Sequence, residues 1–382
     1  MSGHRVCRGF AALLAAAAVL VAVASPSAAY AATPAQPASL VDLRERTVSL
    51  SKPVRRIAID DGRYLIALSL LLEDPVKGLA AWPRDVNRIG ETTHALLLQR
   101  FPALRTVPRV ASSADNFNLE AMLAAAPDVA VVSMGSGPSQ AQVAQLEAAG
   151  IRVVFIDFFT RPFANQERSL RILGQLTGRQ AQAERFIAFR EERLERISSR
   201  IAGLPPQDRP TVFLEAHAGG SGDCCNSPGR GNVGDYIEFV GGANIGADVL
   251  KGAFGKLNKE YVISRNPHVY IATGGPHLAA SGGLVLGQGY DAATARASLA
   301  RVAARQGISQ LGAVKSGRTH GLAHQLINSP IDIVVIEAFA KWIHPELFAD
   351  VDPQQTLDAI NREFLAVPYE GTYWVDLPGA PQ

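Results

Sequence analysis

Four arginines, each a few residues beyond a short apolar run, are the side chains best placed for chemistry: Arg63, Arg84, Arg161 and Arg230. A guanidinium fork grips carboxylate or catecholate oxygens bidentately and keeps its charge when partly buried. Aromatic residues accompany the arginines at Tyr64, Trp82 and Phe158, and Asp61, Met134 and His217 lie on loops of the same kind. The chemistry these types suit is capture of an anionic ligand. A single arginine would read as a solvated surface charge; four on separate loops argue for a shared anion site.

Those loops need strands and helices to hold them. RRIAID (55–60), VKGLAAW (76–82), DVAVVS (128–133) and IRVVFID (151–157) read as buried strands. Helical patterning lies between them at 60–73, 92–100, 118–126 and 140–149, and a possible edge strand sits at 47–50. Strands alternating with helices predict parallel βαβ units, whose ligands sit beyond the carboxyl ends of the strands. Two helices then follow from 165 to 203. The second, 179–201, carries an apolar stripe of Phe186, Phe189, Leu194, Ile197 and Ile201 on a charged surface. A second α/β unit starts at Val212, with strands at 211–214 and 268–273 and helices at 232–240, 291–304, 330–343 and 354–365. The predicted fold is α/β: two Rossmann-like lobes with parallel sheets, joined by one long α-helix. No short internal repeat is visible. The predicted boundaries are a leader at 1–31, an N-terminal lobe at 32–164, a helical segment at 165–207 and a C-terminal lobe at 208–382.

The leader has a basic start (His4, Arg5, Arg8), an apolar core and a small-residue cleavage signal at Ala29-Tyr30-Ala31. The expectation is a cleaved signal peptide, export to the periplasm and no lipid anchor. Without Arg5 and Arg8 the basic residues fall from 37 to 35, equal to the 35 acidic ones. Near neutrality with no basic run excludes a nucleic-acid partner. Cys7 goes with the leader, which leaves Cys224 and Cys225 as neighbours. Adjacent cysteines in an exported chain can close a vicinal disulfide, bind a soft metal, or pair between molecules, in that order of expectation.

The layout and several local sequences resemble the periplasmic substrate-binding proteins of ABC importers for ferric siderophores, haem and cobalamin. NLEAMLAAAPDVAVV, RRIAIDDGRYLIALSLL, DYIEFVGGANIG, ISRNPHVYIATGG and LGAVKSGRTHGL carry the resemblance in order, over about 50–370. It implies two lobes on a single rigid helix, with the ligand in the cleft between them. It also implies one glutamate per lobe docking on a membrane permease and its ATPase; Glu120 and Glu238 occupy the matching positions. Position alone would make Glu120 an ordinary first-turn acid. The implied ligand is a ferric siderophore, held by Asp61, Arg63, Tyr64, Trp82, Arg84, Met134, Phe158, Arg161, His217 and Arg230. Asp115 and Asn116 are further candidates. No resident cofactor or enzyme activity is implied, and the protein is expected to act as a monomer. Cobalamin binders fit less well, since they carry a tryptophan where this chain has Ala114-Asp115.

Two other functions follow less readily. Bare zinc or manganese capture needs about three histidines and a carboxylate. His94, His217, His268, His277, His320, His324 and His344 are scattered along the chain and read as packing or surface groups; His320 and His324 share a Gly-flanked segment that reads as a loop. An exported α/β hydrolase would carry the nucleophile elbow G-x-S-x-G, which the sequence lacks, as it also lacks the metallopeptidase motif H-E-x-x-H.

Overall fold

The computed structural model describes residues 38–378, except 112–116 and 221–223. The leader, Ala114, Asp115, Asn116 and the chain end therefore lie outside the described residues. A short antiparallel pair opens the description: β1 (Ser39–Val41) and β2 (Thr47–Ser49). The N-terminal lobe comprises β3 (Ile57–Ile59), α1 (Arg63–Ser69), β4 (Leu79–Ala81), α2 (Val86–Ile89), α3 (Glu91–Arg100), α4 (Leu119–Ala125), β5 (Val129–Ser133), α5 (Gln140–Ala148) and β6 (Arg152–Ile156). Its strands pair in parallel in the order β4-β3-β5-β6. Every residue of β3, β4 and β5 is buried, as helices on both faces require and as their unbroken apolar runs predict.

Helices α6 (Pro162–Thr177) and α7 (Gln180–Ile201) join the lobes. Gly178 ends α6 in the left-handed conformation at φ 67°, where a side chain would be strained. The C-terminal lobe adds β7 (Thr211–Glu215), β8 (Asn226–Pro228), α8 (Val233–Phe239), β9 (Ala243–Asn244), β10 (Phe254–Lys256), α9 (Lys259–Arg265), β11 (Val269–Gly274), α10 (Ala292–Ala303), α11 (Gly312–Lys315), β12 (Thr319–Ala323), α12 (Ile333–Ile343), α13 (Pro353–Glu363) and β13 (Trp374–Leu377). Its main sheet runs β13-β12-β11-β7-β9, parallel except for β13.

β12 corrects one sequence reading. The segment holding His320 is a fully buried strand, not a loop. Gly321 suggested a loop, but neighbours crowd it: a Cβ there would lie 3.1 Å from Val375 Cγ2 and 3.3 Å from Leu299 Cδ2. His320 faces away from any ligand space, stacked on Trp342 and hydrogen-bonded to Asp376 at 2.6 Å.

Beneath the junction of the lobes, one carboxylate gathers several elements. Asp332, just ahead of α12, accepts from Arg190 Nε (2.9 Å) and Nη2 (3.0 Å) of α7. It also accepts from Gln166 Nε2 of α6 (3.0 Å) and from the Tyr236 hydroxyl of α8 (3.0 Å). All four side chains are fully buried. A buried charge survives only when paired and hydrogen-bonded in this way. The segment after α13 returns across the junction. Phe364 packs edge-on against Phe186 and Phe189 of α7, and the Ala366 amide donates to the Ser69 carbonyl of α1 (3.2 Å).

Candidate functional site

The carboxyl ends of the two main sheets face one cavity of about 470 Å³, lined by Arg63, Arg88, His217, His277, His324, Gln325, Ile327 and Asn328. That volume lies in the range of small-molecule sites. The N-terminal lobe contributes charge. Asp61 follows β3 and is buried; Arg63 Nε and Nη2 donate to its two oxygens at 3.0 and 2.8 Å. Arg88, from α2, also donates to Asp61. Burial alone would push the Asp61 carboxyl up, but Arg63 and Arg88 outweigh it and hold it at about 2. The Arg63 guanidinium lies 3.4 Å over the Phe159 ring, and Phe159 stacks on Tyr64. An ionised carboxylate and an aromatic face thus fix the direction of the positive charge.

The C-terminal lobe contributes neutral nitrogen donors. His217 lies two residues past β7, His277 three past β11, and His324 one past β12. These strands are neighbours, so the three histidines are brought together. His217 Nδ1 lies 2.9 Å from His277 Nε2, and the His217 and His324 rings are 3.9 Å apart. His324 Nδ1 is 2.9 Å from Thr273 Oγ1. Burial, then the neighbouring His277, lowers His217 to about 4; burial lowers His277, and burial with the other two histidines holds His324 well below the usual range. His217 holds a left-handed backbone at φ 53°, which a side chain tolerates only where its surroundings impose it. Among the described residues, no group of three or more His, Cys, Asp or Glu is placed to enclose a metal ion. The imidazoles form an open face.

Contacts between the lobes flank the cavity. Thr93 Oγ1 donates to Gln288 Oε1 (3.2 Å), and Asn232 Nδ2 donates to the Phe159 carbonyl.

Of the residues singled out in the sequence, Arg63 and His217 line the cavity and Asp61 lies directly behind Arg63. Tyr64, Trp82 and Phe158 are fully buried in the core. Met134 is half-buried, with its carbonyl accepting from Arg44 Nη2 (3.2 Å). Arg84 Nη2 donates to the Arg105 and Val107 carbonyls, and Arg161 stands exposed at the start of α6. Arg230 is exposed between β8 and α8. Cys224 and Cys225 are joined as a disulfide beside β8, outside the cavity lining. Sequence reasoning missed Arg88, His277, His324, Gln325 and Asn328. The available signal was partial: His217 and His277 lie three and four residues past the predicted strands 211–214 and 268–273, whereas the strand ahead of His324 was read as a loop.

One further arrangement was hidden. Helix α4 starts at the cap Asn118, whose side chain accepts from Ala121 N, and ends at a left-handed Ala126 before Pro127 and β5. Helix α9 starts at Asn258, whose side chain accepts from Tyr261 N, and ends at a left-handed Asn266 before Pro267 and β11. Both helices have seven residues, and each has a glutamate at its second position, Glu120 and Glu260, both exposed. Glu238 differs: it lies in the last turn of α8, where its Oε1 accepts from the Asn244 amide (3.1 Å).

Two α/β lobes on a long helix, with a ligand-sized cavity between their sheets, define a solute-binding protein. Residues 74–325 match the family described as periplasmic binding protein, and the chain belongs to that family. It is similar to the TroA-like periplasmic binding protein FepB from Veillonella parvula at 26% identity, with 89% of this chain and 100% of that one covered and a TM-score of 0.80. It shares its fold with the Haemophilus influenzae molybdate periplasmic binding protein MolA, solved with molybdate (16% identity, 87% and 99% covered, TM-score 0.67). The Helicobacter pylori CeuE nickel–histidine complex is a third fold relative (15% identity, 85% and 93% covered, TM-score 0.59). Such proteins bind solutes for ABC importers and deliver them to the permease; they are not an enzyme family. Among the described residues, no helix is long and apolar enough to cross a membrane.

Proposed function

We propose that the protein is exported through its leader, cleaved near Ala31, and captures an anionic metal chelate of the ferric siderophore class in the periplasm. The observation that carries this reading is the two-sided cavity. Arg63 and Arg88, held by Asp61, suit anionic oxygens, and three neutral imidazoles opposite suit a metal with an unfilled coordination position. The open imidazole face supports a metal that arrives already chelated, rather than a bare ion. The chelate is cargo, and no resident cofactor takes part. A single continuous helix and the buried Asp332 cluster support a preformed cleft that closes little. For permease docking, the matched caps of α4 and α9 favour Glu120 with Glu260 over Glu120 with Glu238.

Calorimetric titration of the purified mature protein with ferric catecholates, ferric hydroxamates, ferric citrate, haem and cobalamin tests the ligand. A ferric chelate is expected to bind at micromolar affinity or tighter; binding of cobalamin or haem alone defeats the reading. The histidine face favours one second reading, a small chelate of a borderline divalent metal, since imidazole suits nickel and zinc. Nickel with free histidine in the same titration separates the two.

A further inference from the structure

We propose that Val249 and Phe254 form a hydrophobic lip that seats against the importer's membrane permease beside Glu260. This rests on the reading that the protein delivers its ligand to that permease. The large apolar side chains left exposed among the described residues are Val41, Val249, Phe254 and Leu347. Two of these four share one short segment. Val249 is 52% and Phe254 47% exposed, and Asp248, Lys251, Gly252 and Ala253 around them are exposed as well.

The backbone beneath these side chains is fixed. The Leu250 amide donates to the Gly246 carbonyl (2.9 Å), and the Gly229 amide donates to the Ala253 carbonyl (2.9 Å). β10 pairs with β8, setting Phe254 opposite Pro228. The half-buried Leu250 lies over Gly255, where a Cβ would come within 2.7 Å of its Cδ2. A rigid loop that buries Leu250 yet keeps a valine and a phenylalanine in water gains nothing within the chain. Such paired apolar exposure marks a surface covered by a partner.

Three observations identify the partner. First, β10 leads directly into α9, so Phe254 and Glu260 ride on one rigid piece. Asp248 pairs with Arg265 of α9 (2.9 Å), and the Tyr261 hydroxyl of α9 donates to the Ile245 carbonyl (2.9 Å). Second, the lip reaches the seam between the lobes: a Cβ on Gly231 would lie 3.9 Å from Ala253 Cβ and 4.0 Å from the Thr160 carbonyl of the other lobe. A protein that takes over cargo held between the lobes must cover this seam. Third, the lip is rimmed by exposed charges of both signs, Asp248, Lys251, Lys256 and Glu260, a pattern that fits the interspersed polar rim of a protein partner rather than a lipid surface of one sign.

The test places a photo-crosslinking benzoylphenylalanine at position 254, 260 or 347 of the full mature protein. The purified variants are irradiated with inner-membrane vesicles from cells carrying the importer, and products are identified by mass spectrometry. Positions 254 and 260 are expected to label the same polytopic permease, and position 347 to label none. Labelling from 260 without 254 overturns the lip and leaves delivery intact. Labelling from neither overturns both. A second arm uses the double variant Val249→Ser, Phe254→Ser. Chelate affinity is expected to stay within about twofold while uptake by cells falls roughly tenfold or more. Unchanged uptake defeats the proposal. So does sedimentation of the unmodified protein with anionic phospholipid vesicles that is lost in the double variant, since the lip would then be a lipid anchor.

Discussion

Two aspartates in this molecule clamp arginines, and they do different work. Asp332 holds Arg190 where both side chains are fully buried, and its remaining acceptor capacity is taken up by Gln166 and Tyr236. Asp61 is equally buried, but its arginines reach into the cavity: Arg63 keeps 14% and Arg88 22% of its side-chain surface exposed. The same ion pair thus serves as a structural tie at the hinge and as a mount for charge at the cleft. What separates the roles is whether the cation faces protein or ligand space. A fully buried pair contributes mainly by not being broken, whereas one whose cations reach the cavity surface is available to an anion.

The largest effect expected from this contrast is at the hinge. Asp332→Ala leaves Arg190 buried without its partner and should destabilise by about 3–5 kcal/mol, read from urea unfolding. Chelate affinity of the molecules that remain folded should stay within a few-fold. At the cleft the pattern reverses. Arg88→Met, which leaves Arg63 bidentate on the buried Asp61, should weaken an anionic chelate by about tenfold, with stability changed by about 1 kcal/mol. If the Arg88 variant unfolds and the Asp332 variant does not, the division of labour is wrong.

The pH dependence sharpens the comparison further. The folded-state value of Asp61 is depressed to about 2, so its contribution is complete above the ordinary aspartate range and is lost as pH falls from there towards 2. The opposite face follows a different rule. His217, lowered to about 4, stays neutral through the ordinary histidine range, and it opposes folding once pH drops below that range, where the unfolded chain takes up the proton first. Chelate binding should be level from roughly pH 8 to 5 and fall as pH approaches 4; His217→Gln should weaken binding and flatten that fall. A decline already centred near the ordinary histidine value would mean that the imidazoles are not held neutral. The smallest effect expected is in shape: X-ray scattering with and without chelate should show no compaction beyond about 1 Å in radius of gyration.

Much of this was legible before any coordinates. The unbroken apolar runs of β3, β5, β6 and β7 and the amphipathic stripe of α7 follow directly from burial on both faces or on one. β12 escaped because Gly321 signals a turn, whereas the packing of Val375 and Leu299 needs its missing side chain. The cavity was half legible. Arg63 stood out because it directly follows a strand, but Arg88 depends on α2 folding back to Asp61. His217, His277 and His324 are dispersed along the chain and meet only because β7, β11 and β12 are neighbours, an order that hydrophobic periodicity does not encode. Tyr64 and Trp82 were read as ligand aromatics from their loop positions, yet both turn inward and pack in the core. The likeness of α4 and α9 lay in Asn-x-Glu followed by proline, with too few shared letters to register as a repeat.

The return of the segment after α13 has a consequence for how separable the two lobes are. Phe364 completes the packing around Phe186 and Phe189, and Ala366 supplies the partner of the Ser69 carbonyl. The packing around α7 is therefore incomplete until the segment after α13 is in place. An amino-terminal fragment ending before α13 keeps that apolar surface open to water, so the two halves are not separable modules despite their separate sheets. They hold together as one body, closed by the segment after α13.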